Sequence, residues 1–278
     1  MEISADFETR LSDKIEQFGT EGKTPDFTVC FEKTDLLSEP QTRNISNDYD
    51  SKISAHAESD GPVQVFHEGL CGEMFAKSHL DYEDHSEKVR YLDRGLRQFD
   101  QMEKLFEWIG IDNIYAGLET VILHAALIDV SGEGILFMGP SGVGKSTRAD
   151  LWRRYAGAEI INGDRAFVNR DYCGVWKAYG SPYAGSSGYY VNREVPIRAV
   201  MAVKRGGADE ISIQRMTGAK AFCEVYRNVT VHQWNAYAVN TVSSVIMDMI
   251  SAIPVYEMIC PPDIRAVENV RKELGMDR

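Results

Sequence analysis

The stretch 134-GILFMGPSGVGKSTRADLWRRYAG-157 decides how the chain reads. Its apolar run, Ile135 to Met138, predicts a buried strand. Gly139, Gly144, Lys145 and Ser146 then satisfy G-x-x-x-x-G-K-[ST], and the residues that follow predict a helix ending at Gly157. In such a loop the glycines let the backbone curl so that its N–H groups point inward, and the helix N-terminus adds its dipole. Lys145 would reach the terminal phosphates of a nucleotide, and Ser146 would offer a hydroxyl to Mg²⁺. Leu151, Trp152 and Tyr155 are expected on one face of the helix.

Working outward, "AALIDV", "SGEG" and "ILFMG" predict two strands joined by a glycine-containing hairpin. Downstream, "AEIINGD" predicts a short buried strand ending at Asp164. A magnesium nucleotide site needs a carboxylate at the end of a nearby strand, and Asp164 is the candidate. It could hold the metal through water, take a proton from an attacking hydroxyl, or do both in turn. Two readings stand for Arg165, a phosphate contact or an ion pair with Asp164. His124 is equally readable as a strand-end residue or a participant. The segment "GSPYAGSSGYYVNREVPIRAV" (180–200) suggests a second loop over the site, with Gly185, Ser186 and Arg193 as candidate phosphate or substrate contacts and Arg198 as a further cation. A surface hairpin with incidental charges is the alternative. Tyr183, Tyr189 and Tyr190 read as packing residues.

The rest of the chain bounds these readings. With 278 residues, 44% of them hydrophobic, there is material for two folding units. The expected divisions are a small, β-rich, acidic region at 1–95, a connecting helix at 96–117 and a nucleotide-binding domain at 118–278. Leu96, Phe99, Met102, Leu105, Phe106 and Ile109 carry the helical spacing, and Gly110 stops it. Residues 36–62 read as loop or weak edge structure, flanked by the strands "FTVCFE" and "PVQVFHEGL". Farther on, an amphipathic helix through Val242, Ile246 and Met249, the strand "PVYEMIC" and a final helix capped by Asp263 are predicted.

Of the net charge of −12, residues 1–118 carry 12 Lys+Arg against 25 Asp+Glu, leaving 30 − 12 = 18 against 42 − 25 = 17 for the remainder. An acidic first region repels nucleic acid and anionic membrane, so neither is an expected partner. No run is long enough to span a membrane and the N-terminus is acidic, so a cytoplasmic location is expected. Cys30, Cys71, Cys173, Cys223 and Cys260 form no C-x-x-C pair and read as reduced.

The stretch from His124 through "ALIDV", the glycine hairpin, "ILFMGPSGVGKST" and the strand ending in "GDR" resembles the catalytic domain of the HPr kinase/phosphorylase and phosphoenolpyruvate carboxykinase superfamily. The segments "GSPYAGSSG", "REVPIRAVMAVKRG" and "AIPVYEMICPPDIRAVENVRKEL" extend the likeness over roughly 118–275. The resemblance implies an α/β (α+β) fold with a mixed sheet. It implies that Gly139, Pro140, Ser141, Gly142, Val143, Gly144, Lys145, Ser146 and Thr147 bind ATP phosphates. By the same likeness Ser146 and Asp164 serve Mg²⁺, and His124 sits close to the reacting phosphate. It is also compatible with a homo-oligomer. The family usually carries adjacent aspartates where this chain has Gly163-Asp164, and the reverse-reaction signature of true HPr kinase/phosphorylases is missing. The expectation is an ATP- and magnesium-dependent kinase with Lys145, Asp164 and His124 at its centre, acting on a hydroxyl of a peptide, protein or small molecule. The alternative is a nucleotide-binding sensor that transfers nothing.

Overall fold

The computed structural model describes residues 1–42, 44, 46–48, 52–58, 61–68 and 72–276. The chain divides into two compact units, residues 1–118 with 232–239, and residues 119–231 with 240–278.

The first unit is built on β1 (Glu2–Ser4), α1 (Asp13–Glu16), β2 (Thr28–Lys33), β3 (Ser46–Asp48), β4 (Ile53–Glu58), β5 (Gly61–His67), β6 (Met74–Asp81) and β7 (Ser86–Tyr91), followed by α2 (Met102–Trp108) and α3 (Ile111–Gly117). Among the described residues the sheet order is β1-β2-β7-β6-β5-β4-β3. One face is apolar, and Phe31, Phe66, Phe75 and Phe99 interlock there with Phe7, Tyr91 and Trp108. Two expectations are corrected. Residues 36–62 are not merely loop: β4 is a full strand paired along β5, with Ile53 and Ala55 buried. Part of that stretch, and Cys71, lie outside the described residues. The connecting helix at 96–117 is three pieces, a 3-10 turn over Asp93–Gln98 and then α2 and α3. The apolar spacing served this unit's core, while Ile109 takes an extended conformation that breaks the helix.

The second unit contains β8 (Val121–Val130), β9 (Glu133–Met138), α4 (Lys145–Ala156), β10 (Glu159–Asn162), β11 (Arg165–Arg170), β12 (Trp176–Tyr179), β13 (Glu194–Lys204), β14 (Ser212–Met216), α5 (Gly218–Tyr226), β15 (Val229–Thr230), α6 (Ala236–Ala252) from Asn240 onward, β16 (Val255–Ile259) and α7 (Ile264–Leu274). The sheet is mixed: β13 runs parallel to β9 and β16, and the other pairings are antiparallel. Ser131 and Gly132, both at positive φ, close the two-residue turn between β8 and β9, the geometry that matches strand twist in tight hairpins. Because β9 lies between β8 and β13, its apolar run is buried on both faces. Ala149 and Trp152 of α4 pack on this sheet with Val267 and Val270 of α7. Of the three apolar residues expected on one face of α4, Trp152 is buried and Tyr155 is exposed. Asp263 caps α7 as predicted, accepting a hydrogen bond from the Arg265 N–H.

Candidate functional site

Strand β8 changes partners in its middle. Val121 to His124 pair with β11, and Ile122 and Leu123 also with β15; from Ala125 onward the partners are β9 and, over Leu127 to Asp129, β10. His124 stands at that switch, opposite Arg165, with its N–H donating to the Asn228 carbonyl at 2.7 Å. The glycine-rich loop leaves the end of β9 beside it, since Ala125 is the partner of Met138.

The loop itself depends on its glycines. Gly139 has φ 144°, and a Cβ there would lie 2.9 Å from the Val203 carbonyl oxygen. Gly144 caps α4 at φ 101°. Only a residue without a side chain tolerates both the left-handed backbone and the approach to β13. Lys145 is buried, and its ammonium donates to the Gly139 carbonyl at 2.9 Å. Burial lowers its pKa, and the negative charge of Asp164 pulls the other way, so the two groups sense each other. Arg148, one turn along, is also buried and donates to the Cys260 carbonyl. Pro140, Ser141, Gly142 and Thr147 are exposed, while Val143 and Ser146 are half-buried.

Asp164 does not extend β10 as a simple strand end; it sits in a bend tied by Asn162. That side chain is fully buried, and its Oδ1 accepts from the N–H groups of Asp164 and Arg165, both at 2.8 Å. Its Nδ2 donates to the Ser181 carbonyl at 2.8 Å, and the Ser181 hydroxyl donates to the Arg165 carbonyl at 2.7 Å. Asn162 and Ser181 were not anticipated. An Asn immediately before Gly-Asp is the signature of a side chain that bonds the backbone two residues on, so a signal was present.

The bend brings His124 Nε2 to 3.2 Å from Asp164 Oδ1 and Arg165 Nε to 3.8 Å from Asp164 Oδ2. These contacts, led by the hydrogen bond to His124, hold the Asp164 carboxyl below the usual carboxylate range against the effect of burial. Arg165 also stacks over Tyr183, 5.2 Å from the ring centroid. Lys145, Asp164 and Arg165 therefore form one charged group beside the loop, with His124 hydrogen-bonded to its carboxylate.

The turn Gly185–Ser187 lies on this bend. A Cβ at Gly185 would come 3.0 Å from Asp164 Oδ1, and one at Gly163 would come 1.8 Å from Ser187 Oγ. The position where a second carboxylate would branch is thus filled by Ser187. Ser186 is exposed on the same turn. Arg193 is corrected: it pairs with Asp129 and Glu159 at the far end of β8, where a structural ion pair uses it up. Arg198 likewise bonds the Leu274 carbonyl at 2.6 Å and lies near Glu133.

A hydroxyl and a carboxylate are hard oxygen donors that suit Mg²⁺, which commonly takes only one or two protein carboxylates beside nucleotide phosphates. Ser146 and Asp164 fit that requirement. Among the described residues no cluster of three or more His, Cys, Asp or Glu residues could hold a metal by itself.

No family model matches the chain. It is 28% identical over 133 residues to "ABC transporter G family member 4" of Dictyostelium discoideum, a match covering 48% of this chain and 15% of that protein. The chain thus spans a small part of the curated relative it matches. In structure it is similar to the Hpr(Ser) kinase/phosphatase from Coxiella burnetii, with a TM-score of 0.33 and 12% identity over 56% of this chain and 99% of the other. Neither likeness is close enough to define a family for this chain. What the second unit presents is a mixed α/β fold with a glycine loop at a helix N-terminus and a charged group beside it. Among the described residues no helix is long and apolar enough to cross a membrane.

Proposed function

We propose that the protein is an ATP- and magnesium-dependent phosphotransferase that moves the γ-phosphoryl group to a hydroxyl acceptor. The observation that carries this reading is the coupling of Lys145, at the phosphate loop, to an Asp164 carboxylate held ionised by His124. Loop N–H groups and Lys145 bind the phosphates; Asp164 orients the acceptor hydroxyl and receives its proton; Arg165 offsets charge on the transferring group. Magnesium held through Ser146 and Asp164 supplies further charge neutralisation when bound. The acceptor belongs to the class of serine hydroxyls in peptides or proteins, or small-molecule alcohols.

A second reading is favoured by Ser187, which fills the space of the carboxylate that Gly163 lacks. It makes the protein a nucleotide-binding sensor. Incubation with γ-labelled ATP, magnesium and a fractionated extract of its own cells separates the two. Label transferred to a polypeptide or metabolite supports the transferase, whereas tight ATP binding without transferred label supports the sensor.

A further inference from the structure

We infer that Ser186 is a site of self-phosphorylation, carried out within one molecule at the Asp164 site. The inference rests on the phosphotransferase reading and adds to it a specific acceptor within the chain.

The turn Gly185–Ser187 lies against the carboxylate to which an acceptor hydroxyl has to come. A Cβ at Gly185 would sit 2.7 Å from both Cβ and Cγ of Asp164, and Ser187 Oγ presses on Gly163. The turn therefore starts against Asp164, and Ser186 is the residue that follows this contact. Glycines in the left-handed region stand at both ends of the two serines, Gly185 at φ 55° and Gly188 at φ 73°. Glycine crosses between positive and negative φ at little steric cost, so the turn can pivot on its ends while the scaffold stays fixed.

Of the two hydroxyls, that of Ser187 is engaged, donating to the Ala184 carbonyl at 2.8 Å. Ser186 is the exposed one. Its Oγ attacks the γ-phosphorus of bound ATP as the bond from that phosphorus to the β,γ-bridging oxygen breaks. ADP leaves with the electron pair, and the serine proton passes to the Asp164 carboxylate and then to solvent. Tethering replaces a bimolecular encounter by an internal one, so the step is independent of protein concentration.

The test uses the full chain with MgATP and no added acceptor, followed by intact-mass measurement and phosphosite mapping. ATP affinity by calorimetry and transfer to extract acceptors are measured alongside. The expected result is one phosphoryl group on Ser186, a rate constant unchanged on tenfold dilution, and no incorporation in Ser186→Ala or Asp164→Asn. Incorporation at another residue, or a rate constant that falls with dilution, overturns the inference. If extract acceptors are labelled while the chain is not, this inference fails and the transferase reading stands. If ATP binds and no label moves anywhere, both fail.

Discussion

His124 Nε2 lies 3.2 Å from Asp164 Oδ1, and the two meet because β8 changes partners at His124 while Asn162 bends the chain after β10. The hydrogen bond holds the Asp164 carboxyl below the usual carboxylate range. Asp164→Asn removes the charge and keeps the shape. It is expected to leave ATP affinity within a few-fold and to lower phosphoryl transfer by about 10²-fold or more. Paired calorimetry and single-turnover transfer assays check this, and an unchanged transfer rate would remove Asp164 from the chemistry.

Lys145 should separate binding from folding. Its charge is buried at a cost, shown by the lowered pKa, and its folded-state partners are backbone carbonyls of the loop. Lys145→Met keeps the apolar stem and loses the charge-assisted bonds to phosphate, worth about 1.5–3 kcal/mol. ATP affinity is expected to fall roughly tenfold to a hundredfold. The melting temperature of the unliganded protein should hold or rise. A lowered melting temperature with intact binding would mean that the lysine serves the fold.

The Asn162 side chain serves two N–H groups and the Ser181 carbonyl in a fully buried setting. Asn162→Ala is expected to cost about 3 kcal/mol, because a buried donor without an acceptor pays its full desolvation penalty. Asn162→Asp keeps the acceptor but sets a buried carboxylate oxygen against the Ser181 carbonyl, so it should recover none of that stability. Denaturant titration ranks the three proteins. Transfer activity should follow the same order even where all are folded, since Asn162 positions Asp164.

Gly163 and Ser187 exclude each other's side chains. Gly163→Ala would place a Cβ 1.8 Å from Ser187 Oγ, and overpacking of this kind costs about 1–3 kcal/mol. Ser187→Gly should relieve most of that cost. A double-mutant cycle on stability is expected to give a coupling of at least about 1 kcal/mol. Additive effects would show that the turn can move aside freely.

The parts of this site that follow from local chemistry were legible. The loop, α4 after it, the β8–β9 hairpin and the Asp263 cap each depend on residues close in sequence, whose steric and hydrogen-bonding preferences act over a few positions. What escaped depends on distant partners. Arg193 reads as a free cation until β10 and β8 bring Glu159 and Asp129 to it. The helical spacing over 96–109 was real, yet the aromatic core it feeds is better filled by short, broken pieces. The contact of Ser187 with Gly163 joins residues 24 apart, 187 − 163, and no local pattern announces it.

Glu87 of the first unit makes stability depend on pH. Its side chain is buried, its Oε2 meets no hydrogen-bond partner among the described residues, and burial pushes the carboxyl up to about 7 from the ordinary 4.5. Ser78 opposes this with a hydrogen bond, while the negative charge of Asp112 adds to it. Between those two values the folded protein holds a proton that the unfolded chain has released. Stability therefore falls as pH rises through that window and levels off above it, by at most about 3 kcal/mol. Glu87→Gln keeps a hydrogen-bonding partner for Ser78 and removes the titration. It should match the wild type near pH 4.5 and exceed it at pH 8 in urea unfolding. A variant less stable than the wild type at pH 8 would mean that the ionised carboxylate is accommodated after all.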